Sequence, residues 1–252
     1  MTTDAGRWTM SFNPGPESRL RLVCFPHAGG SAGSVFPLVR AAPPGLEVVG
    51  VQYPGRQWRR TEPAVADIHG LARGAADALL AERDLPTAVL GHSMGALVAF
   101  ETVRLLEEKR PGAVTHLFAS GSRAPSCHTD EARPARWSDE RITAELRGLG
   151  GTGDRLISDE EGLRSALPAL RDDYRALAAY RPAPGARVGV PLTVLVGRGD
   201  PKAGPEHAAD WQPHTDAAFD FRVFPGGHFF LNENAAELLN LVQSSLVMPQ
   251  RP

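Results

Sequence analysis

Residues 91–95 read Gly91-His92-Ser93-Met94-Gly95, set between the apolar run Thr87-Ala88-Val89-Leu90 and a helix-like stretch from Ala96 to Lys109. A strand that turns sharply into a helix with a serine at its apex needs strained backbone. Glycine on both flanks lets strand and helix close without a Cβ clash. With 26 glycines among 252 residues the five-residue pattern is weak evidence by itself. Its position at a strand-to-helix junction, and partners in the chain order that such a fold requires, make Ser93 the candidate nucleophile.

Strand and helix signals alternate around this unit. Leu20 to Phe25 is an apolar run ending at Pro26, followed by the small-residue loop His27-Ala28-Gly29-Gly30. Leu46 to Gln52 is a second strand candidate, closed by Tyr53-Pro54-Gly55. Ala64 to Arg83 carries apolar residues near helical spacing, with Pro63 at the helix start. Ala113 to Ala119, Pro191 to Gly197 and Ala218 to Phe224 read as further strands, Glu206 to Gln212 as a short helix and Ala235 to Val247 as the closing one. The alternation predicts a mostly parallel central sheet flanked by helices, an α/β class of fold. From Ser120 to about Pro184 it breaks, leaving Arg- and Asp-rich helical pieces, the run from Gly148 to Gly153 and a helix predicted over Leu167 to Tyr180. An insertion there emerges near the strand ends where ligands bind, and reads as a helical lid over about residues 125–184 of a single domain spanning 1–252.

A serine hydroxyl needs a base within hydrogen-bond reach and an acid to orient that base. Of the eight histidines, His228 in Pro225-Gly226-Gly227-His228 follows the last strand and is the candidate base. Asp200 in Gly197-Arg198-Gly199-Asp200-Pro201 follows the strand before it, giving the order Ser, Asp, His. The loop Ser120-Gly121-Ser122-Arg123, an alternative place for the acid, has no carboxylate. An oxyanion needs two backbone N–H donors. Met94, after the nucleophile, supplies one, and Ala28 in the early small-residue loop the other, with His27 as its neighbour. His27 and His92 lie in loops near Ser93 and shape the pocket.

The net charge of −2 gives no bulk attraction to nucleic acid or anionic membrane, and no apolar run approaches the length of a membrane span. Two cysteines make no disulfide framework, and Met1 to Ser18 lacks an apolar leader core, so a cytoplasmic location is expected; a monomer is also expected, though the sequence does not fix the oligomeric state.

Taken together the motifs resemble a type II thioesterase, the discrete α/β-hydrolase that accompanies modular polyketide synthases and nonribosomal peptide synthetases. The resemblance runs through Leu22 to Gly30, Tyr53-Pro54-Gly55-Arg56, Arg60-Thr61-Glu62-Pro63, Gly91 to Ala96, Phe100-Glu101, Leu167-Pro168 to Tyr174 and Phe224 to Phe230; Arg133 to Ile157 matches least. It implies hydrolysis of acyl groups from the phosphopantetheine arm of acyl or peptidyl carrier proteins, which edits stalled synthases. No cofactor of the enzyme's own and no metal are implied, since the substrate brings the arm. Carrier proteins are commonly acidic, so Arg56, Arg59 and Arg60 around Trp58, with Arg133, Arg136 and Arg141 in the lid, are candidate docking cations. Two other readings share the pattern: a general small-molecule carboxylesterase with the same triad, and a hydrolase-fold binding protein without turnover.

Overall fold

The computed structural model describes residues 4–128, 137–149 and 160–247. Among them seven strands form one sheet: β1 (Thr9–Ser11), β2 (Leu20–Phe25), β3 (Leu46–Val51), β4 (Thr87–His92), β5 (His116–Ser120), β6 (Leu192–Gly197) and β7 (Phe219–Phe224). Their order is β1-β3-β2-β4-β5-β6-β7, with every neighbouring pair parallel except β1, which runs antiparallel to β3. The helices are α1 (Phe36–Ala41), α2 (Ile68–Leu80), α3 (Met94–Lys109), α4 (Asp139–Leu149), α5 (Glu160–Ala179) and α6 (Ala235–Val247).

Every residue of β3, β4, β5 and β6 is buried, as expected of parallel strands covered on both faces. Alternate residues serve opposite layers. Val23 and Phe25 of β2 pack with Val49 and Val51 under α2 and α3. Leu22 and Cys24 face the other way, with Leu90 and Phe118, against Leu38 of α1 and Leu238 and Val242 of α6. β7 closes the sheet as an exposed edge bearing the ion pair Asp220–Arg222, which blunts it against pairing with another chain.

The segment between β5 and β6 carries α4 and α5, where the lid was expected. These helices join through a separate small core of Ile142, Leu146 and Leu170, with Trp137 stacked on Tyr174 at 4.5 Å. Helix α5 starts at Glu160, seven residues before the expected Leu167, and runs through Pro168. Proline in a helix interior costs about 3 kcal/mol. Here Leu163, Ala166 and Leu167 before the proline and Leu170 and Tyr174 after it share that small core and hold the helix together. Helix α2 instead starts later than expected, because Asp67 accepts hydrogen bonds from His69 and Gly70 N–H and sets the first turn, leaving Pro63 outside. The expected short helix near residue 206 is a 3₁₀ segment, Pro205–His214. Among the described residues no helix is long and apolar enough to cross a membrane.

Candidate active site

The turn between β4 and α3 holds Ser93 at φ 55°, ψ −121°, a conformation that costs energy in any residue with a Cβ. Ser93 N–H donates to Ser120 O at the end of β5, at 2.8 Å, which fixes the turn to the neighbouring strand. The flanking glycines meet different neighbours. A Cβ on Gly91 would lie 2.2 Å from Gly95 O, so this glycine serves the strand-to-helix closure. A Cβ on Gly95 would lie 2.2 Å from Phe25 O, so that one lets α3 pass the end of β2.

The loop after β6 carries Asp200 and the loop after β7 carries His228; both are buried. His228 Nδ1 lies 2.8 Å from Asp200 Oδ2, and Asp200 Oδ1 accepts Lys202 N–H at 2.8 Å. A carboxylate accepts only, so His228 donates from Nδ1 and its Nε2 is left as the basic nitrogen. Burial pushes the Asp200 carboxyl up, but the hydrogen bond and charge of His228, with backbone N–H groups of Lys202 and Ala203, outweigh it and hold it below the usual range. His92, whose ring centroid is 5.0 Å from that of His228, is driven well below the ordinary histidine range, first by burial and then by the charges of His228 and His27. It stays neutral, so it does not oppose a positive His228.

Ser93, Met94, His27, Ala28 and His228 line one cavity of about 140 Å³, closed on the far side by Leu146 of α4 and by Tyr174 and Leu177 of α5. Met94 is the first residue of α3, and its N–H belongs to the helix start, where donors have no intrahelical partner. His27 and Phe229, with ring centroids 5.1 Å apart, also line a second cavity of about 90 Å³, whose other walls include Cys24, Leu38 and Leu90. Among the described residues no cluster of three His, Cys, Asp or Glu side chains is placed to hold a metal ion.

Residues 20–246 match the family model described as "Thioesterase domain". The chain belongs to the thioesterase family. It is 48% identical over 91% of its length to a probable cadicidin biosynthesis thioesterase of Streptomyces griseus, and spans 63% of that protein. It is 41% identical over 98% of its length to thioesterase PikA5 of Streptomyces venezuelae, 88% of which it spans. Among solved structures, the type II thioesterase BorB from the borrelidin cluster superposes with a TM-score of 0.87 at 40% identity, covering 98% of this chain and 99% of BorB. RedJ, from the prodiginine pathway of Streptomyces coelicolor, superposes at 0.82 with 36% identity, covering 90% of this chain and 91% of RedJ.

Two of this thioesterase's expected docking cations are not on its surface. Arg56 is buried, with Nη1 and Nη2 each 2.7 Å from a carboxylate oxygen of Asp173 on α5. Arg59 is buried too, donating to Glu62 and to Gln52 O, with its guanidinium 4.5 Å over the Trp8 ring. The turn after β3 folds back through a Gly55 N–H to Arg59 O bond, which points both side chains inward. Arg60 and Trp58 remain exposed, and Arg141 lies over Trp137. Arg133 and Arg136 lie outside the described residues.

Among the buried carboxylates that sequence reasoning missed are two that tie the segment between β5 and β6 to the rest of this thioesterase. Asp173 on α5 has no exposed surface. Glu101 on α3 accepts from Tyr180 Oη at 2.7 Å and from Arg104, tying the chain just beyond α5 to the main domain. An acid in an otherwise amphipathic helix gives no local sign of its partner. The resemblance touched Glu101 and the stretch up to Tyr174 without assigning them roles.

Proposed function

We propose that this thioesterase hydrolyses acyl groups from the phosphopantetheine arm of acyl or peptidyl carrier proteins and thereby clears stalled polyketide or nonribosomal peptide synthases. Its named relatives, thioesterases from cadicidin, borrelidin and prodiginine biosynthesis, support the substrate class. The single observation that carries the chemistry is the buried Asp200–His228 hydrogen bond of 2.8 Å beside a cavity that the strained Ser93 also lines.

Ser93 Oγ attacks the thioester carbonyl as His228 Nε2 takes its proton, and the oxyanion accepts from Met94 and Ala28 N–H. The C–S bond breaks and the sulfur leaves with the proton held by His228. A free thiol has a pKa of about 8.5, so this leaving group needs less protonation than an alkoxide. Water then gives a proton to His228 and attacks the acyl-serine, whose C–O bond breaks as His228 passes that proton to Ser93 Oγ, releasing the acid. Asp200 stabilises the imidazolium in both halves. Every group in this scheme belongs to the chain, the substrate or water.

Intact-protein mass spectrometry of an acyl-loaded carrier protein tests the reading. Loss of the acyl mass with wild type, its persistence with Ser93→Ala, and slower cleavage of the matching oxygen ester are expected. Persistent acyl-carrier with brisk ester cleavage would replace the proposal with a general carboxylesterase. For docking, the proposal now rests on exposed Arg60 beside Trp58: Arg60→Glu should lower turnover of carrier-bound substrate several-fold and spare a small acyl thioester, and equal loss on both would sink it.

A further inference from the structure

The Arg56–Asp173 pair reaches the loop that supplies the second oxyanion donor. Asp173 Oδ2 accepts the Gly29 N–H at 2.7 Å as well as Arg56 Nη1, and Arg56 Nη1 also lies 3.2 Å from Gly30 O. On the other side of the same peptide, His27 Nδ1 sits 2.9 Å from Ala28 O. The carbonyl can only accept, so His27 is the donor. The peptide between Ala28 and Gly29 is therefore held at both poles, its oxygen by His27 and its N–H by the lid helix. Leu170, one turn before Asp173, rests on Gly29, where a Cβ would lie 2.6 Å from Leu170 Cδ2 and where φ is +73°. Two side chains of α5 thus bear on the Ala28–Gly29 peptide, and through it on the direction of the adjoining Ala28 N–H.

We propose that Asp173, charge-balanced by Arg56, is a positioning residue that aims the Ala28 N–H at the oxyanion and does so only while α5 is seated on the Ala28–Gly29 loop. The lid is then part of the catalytic geometry as well as a wall of the pocket. Hydrolysis is assembled by the seated lid, and a substrate that holds α5 away is bound without being turned over. This inference rests on the serine-hydrolase reading above, with Ala28 as donor.

Removing Asp173 alone leaves a buried guanidinium unpaired, so the test uses two neutral double variants. Arg56→Leu/Asp173→Asn keeps an oxygen for Gly29 N–H without either charge. Arg56→Leu/Asp173→Leu keeps neither charge nor acceptor. Each is titrated with a short alkylboronic acid, which forms a tetrahedral serine adduct, and with the amide analogue of an acyl-pantetheine, which occupies the pocket without reacting; thermal unfolding is followed in parallel.

The Asn variant should bind both ligands within threefold of wild type. The Leu variant should lose ten- to a hundredfold in boronate affinity and in kcat while its amide affinity and KM stay within threefold, because only the tetrahedral state uses the oxyanion donor. Equal weakening of both ligands in the Leu variant would make α5 a substrate wall and overturn the proposal. So would retention of boronate affinity there, or a tenfold loss in a folded Asn variant. Failure of the underlying reading is separable: it would show as a wild-type boronate adduct that is absent, or that survives Ser93→Ala.

Discussion

Asp200 holds one carboxylate oxygen on His228 and the other on the Lys202 N–H, so its contribution is to keep a single imidazole tautomer. Asp200→Asn preserves shape but presents an amide N–H where an acceptor is needed. We expect kcat to fall by about 10³- to 10⁴-fold with KM little changed, in steady-state assays on an acyl thioester; a loss under tenfold would remove Asp200 from the triad. At this scale the sequence was legible wherever chemistry is local. Ser93, His228 and Asp200, the proposed nucleophile, base and acid, sit in turns whose flanking glycines and prolines are visible in the sequence. Arg56 and Arg59 were misread because a polar turn rich in arginine and tryptophan looks solvated. The burial of Arg56 depends on Asp173, 117 positions away, and that of Arg59 on the distant Trp8 ring together with Glu62 and Gln52 nearby.

Elements that bury an alternating or periodic face were legible too. The strands that were expected fall within a few residues of their limits because each carries an apolar run or, as in Phe219, Phe221 and Val223 of β7, an apolar alternation. Two elements were not foreseen. β1 spans three residues, Thr9–Ser11, of which Met10 is exposed, so it carries no apolar signature and exists through pairing with β3. α1 has six residues and is held by α6 packing rather than by its own pattern. The β4–α3 unit makes a sharp forecast. Gly95→Ala drives a methyl into Phe25 O, a backbone atom that cannot step aside, so urea unfolding should show a loss of about 3 kcal/mol. An unchanged midpoint would mean that α3 is free to slide. Just beyond α5, Tyr180→Phe removes a hydrogen bond to a buried carboxylate and should lower stability by about 2 kcal/mol. An effect below a few tenths would show that Glu101 relies on Arg104 and His69 instead.

Across the whole molecule, buried imidazoles set the response to acid. His92, His116 and His214 all have pKa values lowered chiefly by burial, with His116 brought down to about 4. Unfolding exposes them and restores their ordinary affinity for protons. The unfolded chain therefore binds more protons between the ordinary histidine pKa and the lowered values. Their stabilising contribution is complete above about pH 6.5 and is lost as the pH falls. For His116 alone the span from about 6.5 to about 4 amounts to on the order of 3 kcal/mol. Calorimetric unfolding at pH 5.5, in buffers of different ionisation heat, should register net proton uptake, reduced in His116→Gln. Proton release, or no difference between the two proteins, would refute the assignment.

The ion pair between Arg56 and Asp173 also bears on how such proteins diverge and how they are engineered. Exchanging α5 for the corresponding helix of another protein, in order to change which chains are accepted, moves one half of a buried charge pair and leaves the other half in the turn after β3. A chimera that ignores this inherits a stranded guanidinium next to the loop that carries Ala28 to Gly30. If Asp173 has the proposed positioning role, breadth of substrate and speed of turnover are inherited together; on the ion pair alone, the two segments should travel as one module.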